Sequence, residues 1–542
     1  MLSHNSNMYK FKSLFLGLIT LFFSTIFFVS CDDATSSAYT GVRMIDNTFS
    51  PPVVRVHEGG VVRFYNAGNN PHNVVATDES WGDYADVPKN DSIEIVFQTE
   101  GLYKYICSYH ATPEGDWGMA GSVVVGDIDY NEYTNFNKDD VVEDWSGRIR
   151  FVPSQYDSIQ EAVDSSDPGD LVLIDKGIYY EEVVVRTPSL TIRGVDRNEV
   201  IIDGEFEKAN GIIVAGVDGV AVENLTARNA LLNGFYWATA EGYRASYVTA
   251  YNNGDYGIYA FDSVDGIIEH SYASGSPDAG FYIGQCYPCK AVINNVISEN
   301  NGLGYSGTNA GGDLYIVSSI FRNNMGGIAP NTLDSELLPP ERESFIIGNH
   351  IENNNNIKAP AWPNQYITLG NGIIIAGGNN NIIKNNVIND HNVFGVVVTA
   401  AFDDNYWPAH GNLIQDNLIL NSKKADMALS GISNLGNCFK GNTFQTSFPP
   451  GIQTSGECGD NIFSRGSDLS GLWSSIARIV YVNQGSFEVG DWRTMPVPPL
   501  QQNMPSANSF FMNIFPAVNV FDKYKIDYTN IKLPETAEKY LN

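Results

Sequence analysis

A glycine followed by apolar residues recurs at Gly211, Gly234, Gly257, Gly280, Gly304 and Gly327, with gaps of 23, 23, 23, 24 and 23 residues. It resumes at Gly372 and Gly395, again 23 apart. A fixed period of this length belongs to stacked repeats, because one such unit cannot bury its own apolar face. Between the glycines lies a second element that joins apolar residues to asparagine, as in Asn294-Asn295-Val296-Ile297, Asn385-Asn386-Val387-Ile388, Asp416-Asn417-Leu418-Ile419 and Gly441-Asn442-Thr443-Phe444. One repeat is too short for a four-stranded blade, and its apolar runs have strand rather than helix length. Three short strands per coil, each coil ~4.8 Å above the last, form a right-handed parallel β-helix with Val and Ile inside and asparagine ladders at the turns. Roughly a dozen coils fit between Leu171 and Ser464. Ser158-Ile159-Gln160-Glu161-Ala162-Val163 opens on a capping box and predicts a short amphipathic helix that plugs the exposed first coil.

The repeat leaves much of the 542-residue chain unexplained, and a chain this long needs more than one core. A formal charge of −30 speaks against a nucleic-acid partner, since phosphate would be repelled. At the N-terminus, Lys10 and Lys12 precede an almost wholly apolar run from Ser13 to Ser30, which ends at Phe28-Val29-Ser30-Cys31. Residues 1–31 therefore read as a targeting segment. Small or apolar residues directly before a cysteine resemble the lipobox of bacterial lipoproteins, which implies cleavage and a lipid on Cys31; the other reading is a plain membrane span. Either one places the rest of the chain outside the cytoplasm, in a cell envelope and attached to a membrane.

From Tyr39 to Asp127 the pattern changes to short strands broken by turns: Val53–Val56, Val61–Tyr65, Ile93–Phe97, Tyr103–Ile106 and Ser122–Val125. That spacing predicts a β-sandwich over 39–127. Four residues in it carry chemistry. His72 follows the second of these strands, Cys107 and His110 close the penultimate one, and Met119 opens the last. One thiolate and two imidazoles in a plane, with a weak axial thioether, are what a copper electron-transfer site requires. The stretch resembles the plastocyanin/halocyanin-type cupredoxins, including Phe49-Ser50-Pro51 and the Val-x-Phe-x-Asn run from Val62 to Asn66. The resemblance implies one type 1 copper ion held by His72, Cys107, His110 and Met119, and a redox protein as partner. The loop from His110 to Met119 is longer than is usual in that family and holds Pro113 to Trp117, so Met119 reads either as the axial ligand or as a core methionine. Met44 reads as core and His57 as a surface residue.

An acidic linker over 128–146 leads to the β-helix, assigned to 147–465, and a Pro-rich tail over 466–542 is expected to pack on the solenoid. The whole chain thus reads as all-β apart from the cap helix. Ile159 to Val163, Pro168-Gly169-Asp170 and Gly177-Ile178-Tyr179 resemble the start of NosD-like and pectate-lyase-like β-helix proteins. That resemblance is one of architecture, and the fold hosts lyases, epimerases and inert scaffolds alike. Cys286 with Cys289, and Cys438 with Cys458, are candidate disulfides in an oxidising compartment; the first pair could instead be redox-active. Three insertions break the repeat, at 331–344, 358–370 and 399–411, and bring Trp362, Tyr366, Asp403, Asp404, Tyr406, Trp407 and His410 as a candidate carbohydrate surface. Asp390-His391, and Asp278 with Tyr282, are further acid–base candidates. No catalytic residue is assigned. The leading expectation is an envelope electron-transfer protein whose β-helix docks a partner or a polysaccharide. The alternatives are a polysaccharide lyase or epimerase with an accessory copper domain, and a copper-handling factor.

Overall fold

The structure, a computed structural model, describes residues 39–45, 48–50, 53–66, 71–78, 81–89, 91–111, 118–126, 147–403, 405–430, 436–453, 458, 488–505, 507 and 527–537. Cys31, the loop from Pro113 to Trp117, the linker 128–146 and Asp404 lie outside the described residues.

Among the described residues, nine strands form the first domain: β1 (Tyr39–Ile45), β2 (Thr48–Ser50), β3 (Val53–Val56), β4 (Gly60–Asn66), β5 (His72–Ala76), β6 (Gly82–Val87), β7 (Ser92–Phe97), β8 (Gly101–Ala111) and β9 (Gly118–Val125). They make two sheets, one in the order β2-β1-β4-β7 and the other in the order β3-β9-β8-β5-β6. Alternation along β4 turns Val62 and Phe64 inward, and Phe49 and Tyr105 meet Phe64 edge to face, with ring centroids 6.2 and 5.0 Å away. The strands predicted from β propensity are all present. His72, which follows β4 as expected, opens β5, a strand buried along its full length.

Among the described residues, the second domain is a parallel β-helix of three sheets with twelve, ten and eleven strands. The first sheet runs from Ile149–Val152 to Cys438–Lys440, the second from Gly177–Tyr179 to Leu418–Leu420, and the third from Val183–Val185 to Ser447–Phe448. Register stacks like on like. Ile212, Phe235, Ile258, Phe281, Tyr305, Ile328, Ile373, Val396 and Met427 are successive rungs of one inward column. The repeating glycines each precede a rung of that column, and close approach explains them. A Cβ on Gly234 would stand 2.7 Å from the carbonyl oxygen of Gly257, and one on Gly257 2.6 Å from that of Gly280. The asparagines divide into two kinds. Asn224, Asn295 and Asn385 take left-handed backbone, which a short polar side chain tolerates. Others form buried ladders: Asn349 donates to Asn386 at 3.0 Å, Asn386 to Asn417 at 2.9 Å and Asn417 to Asn442 at 2.9 Å.

The cap helix α1 (Ile159–Asp164) begins where expected. The Ser158 hydroxyl accepts the Glu161 N–H at 3.1 Å, while the Glu161 carboxylate reaches the N–H of Asp157 rather than that of Ser158. Ile159, Ala162 and Val163 join the solenoid core. Two described segments of the C-terminal region lie against the turns of the coils. Gln501 and Asn198 exchange hydrogen bonds of 2.8 and 2.9 Å, and the Asn385 amide donates to the Ile531 carbonyl at 2.7 Å. The two domains touch through ion pairs: Arg43 on β1 pairs with Asp255, and Arg55 on β3 with Asp262 at 3.3 Å.

Candidate functional site

Two strands bring the metal candidates together. β5 and β8 run antiparallel with Val75 opposite Ile106, which sets Asn73 beside Ser108. The Asn73 amide donates to the Ser108 hydroxyl at 2.8 Å and accepts the Ser108 N–H at 2.9 Å, so the ends of the two strands are tied directly next to His72 and Cys107. Both of those residues are fully buried, and the Cys107 Sγ lies 3.7 Å from the His72 Nδ1. Cys107 is a thiol rather than half of a disulfide. Met119, on β9, is fully buried in the same core. His110 falls on β8, but its side chain is outside the described residues, and among the described residues no three His, Cys, Asp or Glu side chains converge as a metal site.

The residues present fit a soft metal. A sulfur and a nitrogen on one ion at roughly 2.3 and 2.0 Å, ~120° apart, lie ~3.7 Å from each other. Thiolate, imidazole and thioether are also the donors that suit copper in both oxidation states. Outside this core, Tyr109 is exposed and donates to Asp86 at 2.6 Å, which raises its phenol pKa above the ordinary value.

The β-helix offers a different kind of site. The three insertions stand around the outer face of the third sheet and enclose a cleft of about 350 Å³. Its floor includes Thr308, Asn331, Ile374 and Thr399, and its walls are Glu336 from the first insertion, Gln365 from the second and Phe402 from the third. Two partly buried acids edge it. Burial pushes the Glu336 carboxyl up to about 8, and the Tyr282 hydroxyl donates to both its oxygens at 2.7 and 2.8 Å. Asp278 is also held above the usual carboxylate range, by burial and then by the nearby Asp255, and it accepts the Gln365 amide at 2.8 Å.

None of the described residues proposed from sequence as a carbohydrate surface lines this cleft. Trp362 is partly exposed, and its indole N–H donates to Asp255 at 3.1 Å. Tyr366 packs on Met325, Ala359 and Ala361. Trp407 donates to Asp334 at 3.0 Å, and Asp403 accepts the N–H of that residue at 2.8 Å. Tyr406 meets Phe402 edge to face, and the His410 backbone N–H donates to Asn379. Of the acid–base candidates, His391 is fully buried at the end of an asparagine ladder, 3.3 Å from the Asn354 amide, and burial pushes it down to about 3. It belongs to the solenoid interior. Cys286 is bonded to Cys289, and Cys438 to Cys458.

Sequence reasoning passed over Asn73, Ser108, Glu336 and Gln365. Asn73 and Ser108 adjoin the metal candidates, and that adjacency was the available signal. Glu336 and Gln365 sit in insertions whose folding no periodicity reports.

Comparison with protein-family models finds two regions: a cupredoxin-like domain at 17–117 and a right-handed beta helix region at 210–336. No curated protein matches. Among solved structures, the chain is similar to a purple cupredoxin from Nitrosopumilus maritimus, at 25% identity and a TM-score of 0.14, over 16% of this chain and 99% of that one. It is similar to the reduced state of an amicyanin mutant at 25% identity and a TM-score of 0.15, over 17% of this chain and 86% of that one. The A-module of the mannuronan C-5 epimerase AlgE4 from Azotobacter vinelandii is similar at 14% identity and a TM-score of 0.36, over 53% of this chain and 90% of that one. The chain thus joins a cupredoxin-like domain to a right-handed β-helix. No described helix is long and apolar enough to cross a membrane.

Proposed function

We propose that the cupredoxin-like domain holds one type 1 copper ion through His72, Cys107, His110 and Met119 and passes single electrons to and from a protein partner in the cell envelope. The observation that carries this reading is the buried Cys107 thiol 3.7 Å from the buried His72 Nδ1, at the junction of β5 and β8. A bound copper ion supplies a one-electron couple. The chain supplies the rest. Burial of Cys107, His72 and Met119 keeps water from the donors, and the paired hydrogen bonds between Asn73 and Ser108 fix the strand ends so that the donors need little movement between oxidation states. Lipid on Cys31 would hold this unit at a membrane surface, within reach of membrane-bound donors.

The test is optical. The Cu(II)-loaded full chain is expected to be intensely blue from thiolate-to-copper charge transfer, and Cys107→Ser is expected to remove the colour. A colourless Cu(II)-loaded wild type overturns the assignment. Reversible voltammetry of the loaded protein supports electron transfer, whereas rapid loss of copper to an apo-acceptor would move the reading to copper handling.

The cleft on the third sheet favours a second role for the β-helix, as a glycan-binding module that positions the copper domain. Its support is the cleft itself, walled by all three insertions.

A further inference from the structure

The floor of the cleft is two parallel rows, different in chemistry. Thr308, Asn331, Thr399 and Ser430 lie in one outward row, which passes through Ala376 between Asn331 and Thr399. Strand stacking spaces its members by ~4.8 Å, so the five positions span about 19 Å. Beside them Ala329, Ile374 and Val397 form an apolar strip. Phe402, 56% exposed, stands at the rim and is braced by Tyr406 at 4.8 Å.

Charge narrows the ligand further. Among the described residues no Lys, Arg or His lines the cleft, while Asp278 and Glu336 do. Arg43, which acts on Asp278 electrostatically, is paired with Asp255 and is not part of the lining. A carboxylate or sulfate entering here loses hydration and meets no opposite charge. An uncharged ring with one apolar face and a rim of hydroxyls matches both rows and meets no such penalty.

We propose that this cleft binds a neutral glycan, a chain of uncharged hexose or pentose rings, laid along the two rows with one ring against Phe402. The proposal rests on the glycan-binding reading of the β-helix and specifies its site and ligand class. The acid pair then serves as hydrogen-bonding partners for sugar hydroxyls at the cleft edge. Uronate chains, the substrates a lyase or epimerase would need, are excluded.

Calorimetric titration of the copper-loaded full chain against hexamers of β-1,4-glucose, β-1,4-xylose and α-1,4-glucose, and against hexamers of mannuronate and galacturonate, tests this. At least one neutral hexamer is expected to bind, with both uronate hexamers at least about tenfold weaker. Phe402→Ala and Thr399→Val are each expected to weaken the neutral ligand by about fivefold or more, with the thermal melt and the copper band unchanged as evidence of folding. Tighter binding of a uronate hexamer overturns the proposal and leaves a glycan-binding β-helix standing. Neutral binding that neither variant affects overturns the site and again spares the broader reading. If no hexamer binds, both are overturned.

Discussion

Met119 and Cys107 share one buried core, yet only one of them has a role that chemistry alone assigns. A buried thiol beside an imidazole is costly to explain as packing, whereas a buried methionine is an ordinary core residue. Met119→Leu separates its two readings, because the volumes match and stability is expected to change by less than about 1.5 kcal/mol. If Met119 is the axial donor, the blue colour persists and the reduction potential shifts, as voltammetry would show. An unchanged potential makes it a core residue. The pair Asn73 and Ser108 shows what sequence leaves silent at this scale. Both flank metal candidates, but only the register of β5 against β8 makes them partners.

At the scale of elements, the 23-residue spacing set the coil and the structure supplied its reason. Apart from Gly280, where a Cβ would meet the Ser298 and Asn301 side chains, each repeating glycine lies where a Cβ would press on the next coil's backbone. Gly257→Ala would put a methyl 2.6 Å from the Gly280 carbonyl and 2.8 Å from the Ala273 Cβ. Overpacking of this kind is expected to cost about 1–3 kcal/mol, read as a lower denaturation midpoint of the β-helix. Gly41→Ala, with open space around its Cβ, is the control and is expected to be near neutral. The cap helix was legible for a similar reason, since Ser158 and Glu161 satisfy amides within their own turn. The insertions were not legible beyond their existence. Their aromatic residues were visible, but whether each faced the cleft or its surroundings depended on distant coils.

For the whole molecule, wholly and partly buried acids set how stability follows pH. Burial pushes Glu336 and Glu341 up to about 8 and Asp262 to about 6. Across the range from ordinary carboxylate values to these, the folded chain keeps protons that the unfolded chain has lost, so stability falls as pH rises. The contribution is complete below about pH 4.5 and lost by about pH 8. Thermal melts between pH 5 and 8 are expected to show a falling midpoint, with a shallower fall in Glu341→Gln; an equal slope in the variant would remove Glu341 from this account. Arg43 and Arg55 work on the same scale, because they join the cupredoxin-like domain to the solenoid through Asp255 and Asp262. Neither pairing is visible along the chain, where more than 200 residues separate the partners.

Sequence by itself determined the two folds and the metal candidates, because strand alternation, coil period and donor chemistry are all local properties. A glycine every 23 residues marks a stacked coil, and a thiol three residues from a histidine marks candidate donors, without knowledge of anything far away. Tertiary structure decided which residues act together: the cleft rows, the buried acids and the ion pairs between domains. Those depend on which distant segments approach and on how much water they exclude, and neither quantity is written at any single position.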